Sequence, residues 1–184
     1  MKMGNGGFSF AYNVQVVTGT QSRAIYDISI SNSLDQGKAP PTLARTLAML
    51  SRIGVKKPKN WICDSAYSTK YDIEGSYELL PTCNAVFASK PNKGSDPTKA
   101  IRTDGPGMLK WRESLGSEEF KTTYSLRCST VELSNARLKQ GGLSRFNLVG
   151  SLKVKGVALL SAIAHNISIL VGKCIKEEIK DVLV

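Results

Sequence analysis

The sequence predicts an α/β fold, and three observations carry that prediction. Short runs rich in Val, Ile, Tyr and Phe are bounded by turn residues, as strands are. Between and after these runs, apolar residues recur at helical spacing. The order is strand, strand, helix, strand, helix, strand and then two long helices, the alternation of a sheet packed by helices. With 184 residues, 41% hydrophobic and 22% charged, the chain is long enough for one globular domain with its own core, and the composition excludes a disordered segment.

Each element has a local reason. Phe8 to Thr18 and Arg23 to Asn32 flank Gly19-Thr20-Gln21-Ser22, so residues 8–32 read as a hairpin. In its second arm Tyr26, Ile28 and Ile30 alternate with Asp27 and Ser29, which predicts one buried and one polar face. Pro40-Pro41 opens a helix in which Leu43, Leu47 and Leu50 share a face up to Gly54. After the basic loop Lys56-Lys57-Pro58-Lys59, the short strand Trp61-Ile62-Cys63 ends on Asp64. Ser68 or Thr69 caps a helix to about Leu80, and Asn84 to Ala88 is a further strand, which completes an α/β core over residues 38–88. Residues 90–106, dense in Pro, Gly, Asp, Lys and Asn, read as a long surface loop. Helices then occupy residues 117–183, one from Ser117-Glu118-Glu119 to Lys139, stopped by Gly141-Gly142, and one from about Ser151 to Leu183. Within the last, the apolar stretch Val157 to Val171 is shorter than the ~20 residues of a membrane span and is interrupted by His165 and Asn166. It reads as a buried helix, and no membrane partner is expected.

Lys and Arg number 25 against 15 Asp and Glu, a net charge of +10 that points to a phosphate-rich partner, nucleic acid first. A basic RNA-binding or ribosomal protein would share that charge. Cys63, Cys83, Cys128 and Cys174 form no C-x-x-C pair, so neither a zinc site nor a disulfide framework is expected, and a reducing cytoplasm fits. The first residues lack the apolar core of a signal peptide. His165, the sole histidine, lies among apolar residues and reads as structural, which argues against a Cys-His hydrolase built on Cys63. Gly4-Asn5-Gly6-Gly7 lacks the lysine of a phosphate loop, and Trp61 and Trp111 read as anchors of core and loop.

Two acids stand out. Asp64 sits at the C-terminal end of a hydrophobic strand, where α/β folds gather ligands, although a strand-end turn uses Asp as well. Glu132 is the one acid between Phe120 and Lys176, in a stretch that carries Arg127, Arg137, Lys139 and Arg145. It reads either as a helix-surface partner of Lys139 or as a metal ligand among cations that hold DNA. Paired carboxylates suit magnesium, which prefers hard oxygen ligands, and position two ions roughly 4 Å apart for in-line displacement at phosphorus.

Several landmarks occur in order: Gly6-Gly7-Phe8 leading to Tyr12-Asn13-Val14-Gln15, and Ser33-Leu34-Asp35-Gln36-Gly37 before Pro40-Pro41. Trp61-Ile62-Cys63-Asp64-Ser65-Ala66-Tyr67, Thr130-Val131-Glu132-Leu133-Ser134-Asn135 and Ala164-His165-Asn166 follow. In these the chain resembles the DDE transposases of bacterial insertion sequences, whose catalytic domain has a ribonuclease-H-like fold, a mixed sheet packed by helices. The resemblance implies that Asp64 and Glu132 are the second and third catalytic acids, both metal ligands for two Mg²⁺ ions that Mn²⁺ replaces. It further implies a nucleoid-associated protein that acts on double-stranded DNA, at transposon ends and target, as a homodimer. Tyr124, Arg127 and Lys139 follow the family's Tyr-x2-Arg-x3-Glu-x6-Lys signature, and with Arg145 they are assigned to DNA.

Two departures go with it. Four residues, not three, separate Arg127 from Glu132, which on a regular helix turns Arg127 about 100° away unless the helix bulges. The family's first Asp lies on a strand before the hairpin, and no such strand is read here, so the chain is expected to be a truncated catalytic domain, inactive alone. Asp27 and Asp35 are poor substitutes. The alternative is a non-catalytic DNA-binding or regulatory protein derived from a transposase.

Overall fold

A computed structural model describes residues 11–89, 96–144 and 146–182, with side chains as far as residue 175. In chain order the elements are β1 (Asn13–Thr18), β2 (Ile25–Ser31), α1 (Ala39–Arg52), β3 (Asn60–Cys63), α2 (Lys70–Leu79), β4 (Asn84–Phe87), α3 (Pro106–Ser114), α4 (Glu118–Arg127), α5 (Leu133–Leu138) and α6 (Ser151–Val182). A 3-10 turn covers Ser65–Tyr67, and π turns cover Cys128–Glu132 and Lys139–Leu143. The fold is α/β, but the described strands form two two-stranded sheets in place of one mixed sheet. β1 pairs antiparallel with β2, and β3 pairs parallel with β4. The chain divides into two compact units, one over Ser33–Arg127 and one joining the hairpin segment up to Asn32 to the chain from Cys128 onward.

In the first unit, a parallel pair needs a crossover, and α2 supplies it between β3 and β4. Trp61, Cys63, Val86 and Phe87 from these strands are buried with Leu43, Leu50 and Ile73 from α1 and α2, as the helical spacing predicts for Leu43 and Leu50. Gly54, at φ 68, ends the α1 region in a left-handed conformation that suits glycine. Helix α3 starts where the loop was expected to end, and the spacing did not announce it. Its first turn is capped from a distance: the Glu74 carboxylate on α2 accepts the Gly107 N–H at 2.9 Å and the Met108 N–H at 3.1 Å. Trp111 is buried, as an anchor should be, and its indole N–H donates to the Phe87 carbonyl at 2.8 Å.

In the second unit, Ile25 and Ile28 of β2 are buried with Leu138 of α5 and with Ala158 and Ala162 of α6. The expected face, Tyr26, Ile28 and Ile30, is thus corrected at one end. The register runs Val17↔Asp27 and then Thr18↔Ile25, so Tyr26 is an extra residue and Ile25 takes the buried place. The hairpin loop closes with Arg23 at φ 58. Helix α6 reads this strained end directly, because His165 Nε2 lies 3.1 Å from the Arg23 carbonyl. Next to it, the Asn166 side chain accepts the Ile25 N–H at 2.7 Å and donates to the Ile25 carbonyl at 2.9 Å.

Helix α6 also corrects the expectation of a buried apolar helix. Ser151–Ile175 is long and apolar enough to cross a membrane by length and composition, and only 22% of its most apolar window is buried. The two residues that interrupt the apolar run, His165 and Asn166, are the ones turned to the hairpin, so most of the large apolar side chains lie on the opposite face. Replacing Asn166 by Leu leaves both polar groups of Ile25 without their partner and is expected to cost about 2–3 kcal/mol. The urea midpoint followed by circular dichroism checks this, and an unchanged midpoint would show that the clamp holds nothing.

Candidate functional site

The parallel register ends at Cys63↔Phe87, so Asp64 is the first residue beyond β3, at the C-terminal end of the pair. Its extended backbone (φ −69, ψ 162) turns the carboxylate back onto the next peptide, and Oδ1 accepts the Ser65 N–H at 2.6 Å to start the 3-10 turn. Oδ2 accepts from the Arg127 guanidinium at 3.1 Å. The Asp64 side chain is 45% exposed, so this pair is open to ligands and its strength is that of a partly solvated contact.

Arg127 ends α4, and the same helix supports it. Its guanidinium carbon lies 5.8 Å from the Tyr124 ring centroid, and one of its nitrogens donates to the Tyr124 hydroxyl at 3.4 Å. Tyr124 in turn stacks on Phe120, with centroids 6.4 Å apart and planes at 11°. Steps of four and three residues put these groups on one helix face. Asp64, Tyr124 and Arg127, assigned from separate stretches of sequence, are therefore together in one unit.

Tyr67 is the residue that sequence reasoning left without a role. Burial pushes its phenol above the ordinary tyrosine range, and Asp35, which it hydrogen-bonds, Cys63 and Asp64 add to that shift. The aromatic residue three positions after Asp64 was a signal that could have found it. Burial likewise raises the Cys63 thiol, with Asp72, Cys83 and Asp64 contributing, and raises Cys83 to about 11 against the opposing effect of Lys110. A protonated, buried Cys63 is no nucleophile.

Glu132 and Lys139 belong to the second unit. Glu132 is exposed at the end of the first π turn, and Lys139 is exposed at the start of the second. Beside Glu132, Thr130 and Ser134 are buried. The five residues after Arg127 are π-helical, the local geometry that takes one more residue per turn than an α-helix. Arg145 and Gly6-Gly7-Phe8 lie outside the described residues. The Ala164-His165-Asn166 landmark is the clamp on the hairpin.

Asp64 offers the hard oxygens that magnesium prefers, but Arg127 engages one and the Ser65 N–H the other. Among the described residues, no three His, Cys, Asp or Glu side chains gather around one point. This donor set does not by itself make a divalent-cation site.

A family described as "Transposase DDE domain" matches residues 105–171. The matched span contains Tyr124, Arg127, Glu132, Lys139 and Arg145 and leaves out Asp64. The match supports a DDE transposase. Transposases of this family act on DNA and use divalent metal ions, which agrees with the basic charge and with the carboxylates. No curated protein and no solved structure matches the chain.

Thiol chemistry checks the local burial. In the native protein at pH 7.5, a disulfide reagent should label the exposed Cys128 and Cys174 within seconds and leave Cys63 and Cys83 unlabelled until the chain unfolds. The raised thiols have a consequence for stability. It is full below the ordinary cysteine pKa near 8.5 and falls as pH rises beyond it, because the unfolded chain releases protons that the folded one retains.

Proposed function

We propose that this chain is catalytic-domain material of a DDE transposase, ribonuclease-H-like in fold, that cuts and joins transposon DNA by metal-dependent phosphoryl transfer. Asp64 and Glu132 are two of its carboxylate ligands. The observation that supports this most is the ion pair between Asp64 and Arg127, residues 63 apart in the chain that belong to two separate landmarks of the family. Magnesium or manganese, bound in pairs, would neutralise charge on the attacking and leaving oxygens. Arg127, held against Tyr124, binds a DNA phosphate, and Lys139 and Arg145 track the backbone around Glu132. The π turn supplies the missing step in this reading. A hydrogen-bonded π turn spans five residues, so Arg127 and Glu132 keep the one-turn relation that the signature has on an α-helix.

Two carboxylates are fewer than the three the chemistry uses, and the chain by itself is expected not to cleave DNA. In this reading the third carboxylate stands on an Asp-bearing strand that is not among the described strands and that in a ribonuclease-H-like sheet lies in the middle. The active form is a homodimer on DNA.

A second reading is a regulatory protein that occupies transposon ends without cutting them. The Arg127–Asp64 contact favours it in one respect, since a guanidinium already compensates the carboxylate without any metal.

Joining an Asp-bearing strand to the N-terminal side and supplying Mg²⁺ separates the two. Nicking of transposon-end DNA is expected, and Asp64→Asn or Glu132→Gln should each lower it by roughly 10²–10³-fold or more, the scale of losing one fixed electrostatic partner of the transition state. Undiminished nicking after Glu132→Gln removes Glu132 from the site, and no nicking at all supports the regulatory reading. DNA affinity should fall steeply with salt, and Lys139→Ala should reduce the log–log slope by about one.

A further inference from the structure

The end of the parallel pair opposite Asp64 is strongly basic. Helix α1 starts where Asp72, in the first turn of α2, holds the Gly37 and Ala39 N–H groups, and α2 follows Asp64 by way of the 3-10 turn. From that end its 14 residues run for about 20 Å at 1.5 Å per residue, and residues 53–59 lead on to the start of β3 at Asn60. The register Asn60↔Asn84 sets the start of β4 beside it. Arg52, Lys56, Lys57 and Lys59 are all exposed here, four bases within residues 52–59. No Asp or Glu occurs between Asp35 and Asp64, so α1 and its loop bring no acid to offset them. Lys110 of α3 is set aside, because exposed Glu78 follows the Tyr77 ring over which it lies and exposed Glu113 stands one turn beyond it.

The fold has no use for this much charge. A helix C-terminus favours a cation near its last carbonyls, and Arg52 already meets that preference. Those carbonyls are moreover taken by the chain itself: the Ile53 N–H donates to Met49 at 3.2 Å, Gly54 to Ser51 at 3.2 Å and Val55 to Leu50 at 2.9 Å. The three lysines of the loop therefore repel one another and Arg52 without a structural return, a cost that an anionic partner removes.

We propose that Arg52, Lys56, Lys57 and Lys59 form a surface for the phosphate backbone of duplex DNA, independent of base sequence and remote from Asp64 and Arg127. DNA is the partner that the family match supports, and the net charge of +10 suits it. Duplex DNA carries one charge for every ~1.7 Å of its axis, so an exposed row of lysines can engage it without a shaped pocket. An anionic lipid surface is the competing occupant, to which the half-exposed Ile53 and Val55 would add apolar contact. The surface depends on DNA as the partner and not on Asp64 or Glu132 as catalytic acids, so the two readings fail separately.

The test follows the affinity of the full chain for a random-sequence duplex against salt, without metal. Lys56→Gln, Lys57→Gln and Lys59→Gln together should reduce the log–log slope by about three and the affinity at ~0.1 M salt by roughly 10²-fold. Lys99→Gln, Arg102→Gln and Lys121→Gln together remove the same charge from exposed positions elsewhere in the unit and should change the slope by about one or less. Equal losses in the two variants overturn the proposal in favour of net charge alone. Lysine acetylation read by peptide mapping needs no variant to fold. Duplex should protect Lys56, Lys57 and Lys59 in the wild-type chain, and should still do so in the Asp64→Asn protein. Full acetylation of these lysines under saturating duplex overturns the proposal, and protection lost in Asp64→Asn overturns the separation from Asp64. Protection by phosphatidylglycerol vesicles and not by duplex overturns it in favour of a lipid surface.

Discussion

A carboxylate withdrawn wholly from water must be matched by donors, and the unit Ser33–Arg127 is organised around one. Asp72 has no exposed surface. One of its oxygens accepts the Ala39 N–H at 3.0 Å, and the other accepts the Gly37 N–H at 2.9 Å and the Thr69 hydroxyl. Ala39 opens α1 and Thr69 caps α2, so a single side chain fixes the starts of two helices. Asp35 lies two residues before Gly37, and Tyr67 two before Thr69. Fixing those flanks brings Asp35 to the Tyr67 phenol, next to the strand end that carries Asp64. The geometry of the candidate site follows from a cap.

Electrostatics then sharpen that strand end. With Tyr67 and Cys63 held neutral by burial, the ionised groups described around it are carboxylates and the Arg127 guanidinium. A phosphate arriving at Arg127 and a cation arriving at Asp64 would each meet half of an existing pair. In the function proposed above, binding there would exchange the partners of this pair, and its partial exposure would keep the exchange shallow in energy.

Much of the fold was legible because it is written locally. Pro40-Pro41 with Leu43 and Leu50, the Trp61-Ile62-Cys63 run and the Gly141-Gly142 stop each placed an element within a few residues of its observed bounds. What escaped depends on distant partners. Helix α3 is short, and its cap is Glu74, more than thirty residues away. The phase of β2 is set by an extra residue at Tyr26 that alternation alone does not reveal. For the candidate site, Asp64 was singled out by its position at a strand end and Arg127 by the signature, and the structure brings the two into contact. Tyr67 was overlooked because its importance lies in burial beside Asp35, a relation without a spacing. The irregular Arg127-to-Glu132 interval was visible as one residue too many, and the π turn is its physical form.

The Asn166 clamp carries a different consequence. Its amide gives Ile25 one donor and one acceptor, the same pair of bonds that a residue of an adjoining strand would give. A side chain from a helix thus occupies the place of a third strand at that point of the hairpin margin. Hairpin margins with free main-chain groups recruit foreign strands and seed fibrous assemblies. By filling this position with an amide that cannot propagate, the chain gains protection against templated polymerisation at the end of the hairpin where the backbone is most contorted.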